Sequence, residues 1–346
     1  RALVDSVQAP ADLASRLHAD YCLSGTIRKQ GRSLRVTVQL TDVAFGKIIW
    51  ADTHTVNERE LELRRHDLIV KRVASKIGDM YGVLATAVLR QARRKPRERL
   101  TLCEAVLGNL RYQSQLADGM FTRAFHDAER AIAADPEFAW GWAALALLHI
   151  DNFVLSIDPR ASDAADRALF CARQALRTDA DCGLAHFSLG VYYLSQGNIE
   201  GVARSANAAV EASQGSPFET SGAGALFAMV GESGRSRTLL KRAVALNPRL
   251  PGWVHWAGAV NAWKVGDHAS ALEITQEFSM PGCFWDHLLR ASAEIAMGET
   301  TDRKRSLNQA MNLRPQLSSQ PQELVSRLIP DREVQKLIVD TVASSS

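Results

Sequence analysis

A small residue five positions ahead of a helix-ending one recurs along this chain. Ala131 precedes Pro136, Ala209 precedes Gln214, Ala243 precedes Pro248, and Ala310 precedes Pro315. The turn positions Ala180, Gln214, Pro248, Cys283 and Pro315 are separated by 34, 34, 35 and 32 residues. Self-similarity at this period marks stacked helix–turn–helix units. One such pair cannot bury its apolar face alone and needs a neighbour on each side. The recurrence therefore predicts a mainly α protein, an α–α superhelix over most of its length. Stacked helix pairs make a groove for another molecule and rarely make an active site.

The first part of the chain follows a different pattern. Pro10–Leu17 reads as a short amphipathic helix, followed by three runs of strand character, Tyr21–Arg28, Leu34–Asp42 and Lys47–Thr55. In the second run Leu34, Val36, Val38 and Leu40 alternate with Arg35, Thr37, Gln39 and Thr41, the period of a half-buried strand. Gln30-Gly31-Arg32 and Ala44-Phe45-Gly46 supply the turns on either side. One long helix is expected from about Glu58 to Gln91, with Leu68, Val73, Ile77, Met80, Leu84 and Val88 inward. The unit is a small α+β domain with an antiparallel meander.

Within it Gly25, Thr26, Arg28, Arg35, Val36, Gln39, Leu40, Asp42, Gly46, Trp50 and Ala51 form a pattern that resembles TolB-like (FlgO-like) domains. That resemblance implies a regulatory module without catalytic residues. In the family the domain often precedes tetratricopeptide repeats, behind a winged-helix DNA-binding domain or a class III nucleotide cyclase domain of bacterial regulators. It also implies that the opening strand and helix, and an output domain upstream of Arg1, are missing from this chain. The basic run Arg90–Arg99 is interrupted by Pro96 and lacks interleaved aromatics that would stack on bases, so it reads as a solvated linker.

From Leu100 the residues resemble tetratricopeptide repeats. In the third repeat Leu189, Gly190 and Tyr193 hold the helix A positions, Gly197 the turn, and Ala206 and Ala209 helix B. Gly224, Phe227, Gly231, Leu240 and Ala243 keep the spacing in the fourth; Gly266 and Ala271 mark the fifth, and Ala291 and Gly298 the sixth. The first two repeats carry extra residues, including an insertion around Asn152–Ser162. The expected organisation is an α+β domain over 1–92, a basic linker over 93–99, about six repeats over 100–316, and capping helices over 317–346.

Composition narrows function mainly by exclusion. Of 346 residues, 41 are basic and 38 acidic, a net charge of +3 that names no partner. The five cysteines are scattered and never paired as CxxC, against a disulfide framework or zinc site and in keeping with a reducing compartment. No apolar run reaches membrane-spanning length. The expected location is cytoplasmic, with the periplasmic side of a membrane-anchored regulator as the alternative. The nine histidines form no HExxH, and no G-x-x-x-x-G-K-[ST] occurs. Gly222-Ala223-Gly224 lies on a repeat helix with no strand before it, where small residues serve close packing. No catalytic residue, metal or cofactor is expected.

One constellation carries functional content. Trp253, Trp256, Val260 and Trp263 form a stripe at i, i+3, i+7 and i+10. By repeat phase it belongs to the concave face, with Phe187, Val191 and Leu194 of the third repeat and Trp140 of the second. Two readings stand side by side: anchors for a bound peptide or effector, or packing that fills a narrow superhelix. The sequence thus points to a non-catalytic interaction module taking a protein or peptide in its groove, part of a signalling or transcriptional regulator. The regulatory half of a cyclase is the alternative, and a homo-oligomer stays open.

Overall fold

The computed structural model describes residues 16, 19–57, 66–158, 160–213, 215–278, 280–298 and 301–343. The helix expected over Pro10–Leu17 lies outside them except at Arg16, as do the start of the helix expected from Glu58, the turn position Gln214, and Pro159. The chain divides into two compact units, Arg1–Ala87 and Val88–Ser346.

The first unit is built on a three-stranded antiparallel meander. Strands β1 (Tyr21–Gln30), β2 (Ser33–Asp42) and β3 (Lys47–Asn57) pair in the order β1-β2-β3. Gln30 faces Ser33 across the first hairpin, where Gly31 takes a left-handed φ of 59°. A bulge between Leu40 and Thr41 shifts the β2–β3 register, and Leu40 and Val56 are buried. The single long helix expected here is instead two, α1 (His66–Gly78) and α2 (Val83–Ala92). Asp79 ends the first: its Oδ2 accepts from Tyr81 N at 3.2 Å, and its carbonyl from Gly82 N at 2.8 Å. A Cβ at Gly82 would lie 2.8 Å from three backbone carbonyl oxygens, so only glycine fits this corner. The apolar periodicity runs through the break, which is why it reads as one helix.

The second unit starts with the basic run, and that run is not a free linker. Lys95 Nζ lies 2.7 Å from Glu104, and Arg97 lies 3.0 Å from Asp127, so the run is pinned to the first repeat. Thr101 and Glu104 form a reciprocal capping box at the first repeat helix. Six helix pairs follow: α3 (Leu102–Gln115) with α4 (Asp118–Ala134), α5 (Ala139–Leu155) with α6 (Ala164–Thr178), and α7 (Gly183–Ser195) with α8 (Ile199–Ala212). Then come α9 (Pro217–Met229) with α10 (Ser233–Leu246), α11 (Gly252–Lys264) with α12 (His268–Glu277), and α13 (Phe284–Ala296) with α14 (Thr301–Leu313).

The recurring alanines explain the period. Ala131, Ala175, Ala209, Ala243 and Ala310 are at most 1% exposed, because each sits in the second helix of its pair where a larger side chain would push the neighbouring helices apart. In the last four pairs the A-to-B turn is made by Gly197, Gly231, Gly266 and Gly298, with φ of 67°, 86°, 83° and 77°. The first two pairs use Leu116 and Ser156 instead, both at φ 51°, a conformation that favours glycine. Gly222 and Gly224 serve packing: added Cβ atoms would lie 3.1 Å from Phe187 and 3.0 Å from Leu240. Short helices α15 (Gln316–Ser319), α16 (Pro321–Ser326) and α17 (Arg332–Ala343) cover the sixth pair, burying Leu324, Val325, Ile338 and Val342.

The array also coils back on itself. Helix α11 of the fifth pair touches α3 of the first. Trp285 Nε1 donates to Val154 O at 3.3 Å, and Arg327 donates to Phe153 O at 2.8 Å. Buried Arg314 donates through Nε to Leu155 O and grips both carboxylate oxygens of Asp118, at 2.7 and 3.0 Å. Gly282 completes the seam, since a Cβ there would lie 2.7 Å from Gln115 O. The inner helices therefore surround a hollow whose two sides meet.

Candidate functional site

That hollow is a cavity of about 120 Å³. Every one of the six pairs contributes to its wall through its first helix or the residues leading into it. Gln113 and Leu116 come from the first, Ile150 and Asp151 from the second, Phe187, Val191 and Leu194 from the third, and Leu226 and Met229 from the fourth. Trp253, Trp256 and Ala257 come from the fifth, and Met280, Cys283 and Trp285 from the sixth. The side chains reach inward because an α-helix in a solenoid turns one stripe to the axis, at spacings of three and four.

The aromatic residues pack on one another around this space. Trp253 stacks on Phe187 with centroids 5.6 Å apart and planes at 17°, and meets Phe218 edge-on at 5.8 Å. Trp256 meets Trp285 edge-on at 6.2 Å. The indole N–H groups of Trp253 and Trp256 find no hydrogen-bond partner among the described residues. Val260 and Trp263 fall further along α11 and line a second, much smaller space of about 10 Å³ beside Leu288, Leu289 and Ile338. Trp140 stands half-buried at the start of α5, outside both. The structure thus brings five of the eight sequence-selected residues to one cavity, Phe187, Val191, Leu194, Trp253 and Trp256, and leaves Val260, Trp263 and Trp140 apart.

The polar chemistry of the cavity lies in residues that the repeat pattern did not single out. Asp151 sits in the middle of the apolar helix α5, four residues after Leu147 and three before Val154, all three lining the cavity. Gln113 Nε2 donates to its Oδ2, while its Oδ1 has no partner among the described residues. Asp151 is half-buried and lines the cavity. Burial pushes the carboxyl up to about 8, against the opposing effect of the Gln113 hydrogen bond. The fully buried Tyr112 hydroxyl has no partner among the described residues, and its pKa is driven well above the usual phenol value by burial and then by the Asp151 charge. Burial lifts the Cys283 thiol to about 12, which keeps it uncharged and unreactive. Asp151 is then the one side chain in the wall that can carry charge near neutrality.

An inward-phased carboxylate in an otherwise apolar helix was the sequence signal for this residue. Its neighbours Gln113, Cys283 and Trp285 come from repeats far away in the chain and gave no local signal. Among the described residues no cluster of three histidine, cysteine or acidic side chains could hold a metal ion, and all five cysteines are free. No described helix is long and apolar enough to cross a membrane.

Neither a family model nor a curated protein matches the chain. Solved structures with a similar chain path include a tetratricopeptide repeat protein from Parabacteroides merdae, at 16% identity over 82% of this chain and 98% of that one, with a TM-score of 0.43. TTC0263, a thermophilic tetratricopeptide protein of Thermus thermophilus, is 20% identical over 56% of this chain and 98% of its own, at a TM-score of 0.39. YrrB, a tetratricopeptide protein with an unusual peptide-binding site, is 18% identical over 54% and 92%, at 0.32. These likenesses concern the path of the helices alone.

Proposed function

We propose that the helical array is a non-catalytic binding module whose hollow holds a small apolar effector. The observation that carries this reading is the cavity wall, to which all six helix pairs contribute. Occupying such a space would bias the packing of the whole array at once, because each inner helix touches its neighbours. A protein or peptide partner is the second reading, supported by the repeat fold, whose stacked helix pairs present extended concave surfaces for binding. Catalysis has no support in the wall, where a single carboxyl stands without a nucleophile or a second acid or base.

The resemblance of residues 1–92 to TolB-like domains supports a regulatory setting, with effector binding passed to an output domain of a signalling or transcriptional regulator. Titration of the full chain with benzyl alcohol, followed by tryptophan emission, tests the binding reading, because Trp253, Trp256 and Trp285 border the space. The expected result is a saturable change that disappears in Ala225→Phe, which fills the cavity from α9. An identical response from the filled variant, or no response from the wild type, would refute it.

A further inference from the structure

The chemistry of the wall is one-sided. It offers the faces and edges of Phe187, Trp253, Trp256 and Trp285, one carboxyl, and no lysine, arginine or histidine. We propose that the occupant is a small hydrophobic ammonium ion, its cationic head on Asp151 Oδ1 and its apolar body among the indoles. This rests on the reading of the hollow as a binding site and specifies its ligand class.

Three features argue for a cation. Aromatic faces attract positive charge through their quadrupole, and more strongly where water is excluded. A buried carboxylate without a cationic partner is unfavourable, and an ammonium supplies what the protein does not. Gln113 already holds Oδ2, which orients the carboxyl and leaves the other oxygen to the ligand. An anion meets only a potential negative charge, and a neutral ligand leaves the carboxyl to keep its own proton. When the ammonium binds, that proton leaves to solvent. With the carboxyl pushed up to about 8, the exchange weakens binding near neutral pH by only about tenfold. The volume limits the ligand to about one small ring: an apolar cavity of about 150 Å³ accepts a benzene ring, and this one is about 120 Å³.

The experiment uses the full chain at pH 7 and three probes of one shape: benzylamine, benzyl alcohol and benzoate, measured by calorimetry and tryptophan emission. The expected order places benzylamine at least about tenfold tighter than benzyl alcohol, with benzoate weakest. Asp151→Asn should remove that preference, with benzylamine then binding no tighter than benzyl alcohol. Equal affinities for the three probes, or a preference that survives Asp151→Asn, would overturn the cationic assignment and leave the hollow a binding site. Absence of binding by all three would overturn the binding-site reading as well.

Discussion

Replacing Asp151 by Asn should remove a pH dependence that the fold imposes on itself. Burial raises this carboxyl from its ordinary value of 3.8 to about 8 in the folded protein. Between those values the native state keeps a proton that the unfolded chain gives up, so the group's contribution is fully present below about pH 4 and is lost as pH rises toward 8. Each pH unit inside the window is worth about 1.4 kcal/mol, so going from pH 5 to pH 7 removes about 3 kcal/mol. Asn keeps the shape and can hydrogen-bond to Gln113, but it has no proton to lose. The groups facing Asp151 do not imitate the effect. Tyr112 and Cys283 stay protonated throughout, since burial raises both. His149 on the same helix is lowered to about 4 by burial, so it takes up a proton on unfolding below its ordinary value, an effect of opposite sign that both proteins share. The Arg314–Asp118 pair is common to both proteins. Urea unfolding at pH 5, 6 and 7 should therefore show Asp151→Asn gaining on wild type by about 3 kcal/mol across the series. Parallel profiles would show that the carboxyl is ionised and solvated in the native state, and the description of the cavity would fail.

Other expectations concern the seam and the first unit. Arg314→Ala removes charge-assisted bonds to Leu155 and Asp118 and should cost about 2–3 kcal/mol in urea unfolding; X-ray scattering should show a larger radius of gyration as the ring opens. Gly282→Ala sets a Cβ 2.7 Å from Gln115 O, and backbone cannot yield as a flexible side chain does. It should destabilise by about 1–3 kcal/mol and weaken benzyl alcohol binding, whereas Gly258→Ala, with nothing near its Cβ, should do neither. Gly82→Ala crowds three carbonyl oxygens at the corner between α1 and α2; hydrogen exchange should quicken in both helices, and unchanged protection there would contradict the account of that break.

Sequence and structure divide cleanly between what is local and what is summed. The repeat period, the buried alanines at Ala131, Ala209, Ala243 and Ala310, and the glycine turns from Gly197 to Gly298 could be read directly, because each requirement is satisfied within one helix pair. The three strands were equally plain, their hairpins fixed by Gly31 and Gly46 and by the alternation along β2. The break at Asp79–Gly82 was hidden because apolar residues stay in helical phase across it. Closure was hidden for a deeper reason. Trp285 reaches Val154 across 131 positions and Arg314 reaches Asp118 across 196. Whether they meet depends on small rotations accumulated over successive repeats, which no single repeat encodes. The sequence by itself determined a superhelix of paired helices with an aromatic inner face. Only the tertiary structure decided that this face curls shut, because the curl is the sum of every helix crossing. That same sum brings Asp151 to one cavity with Trp253, Trp256 and Trp285, and turns an unremarked acid in an apolar helix into the one side chain of its wall that can carry charge near neutrality.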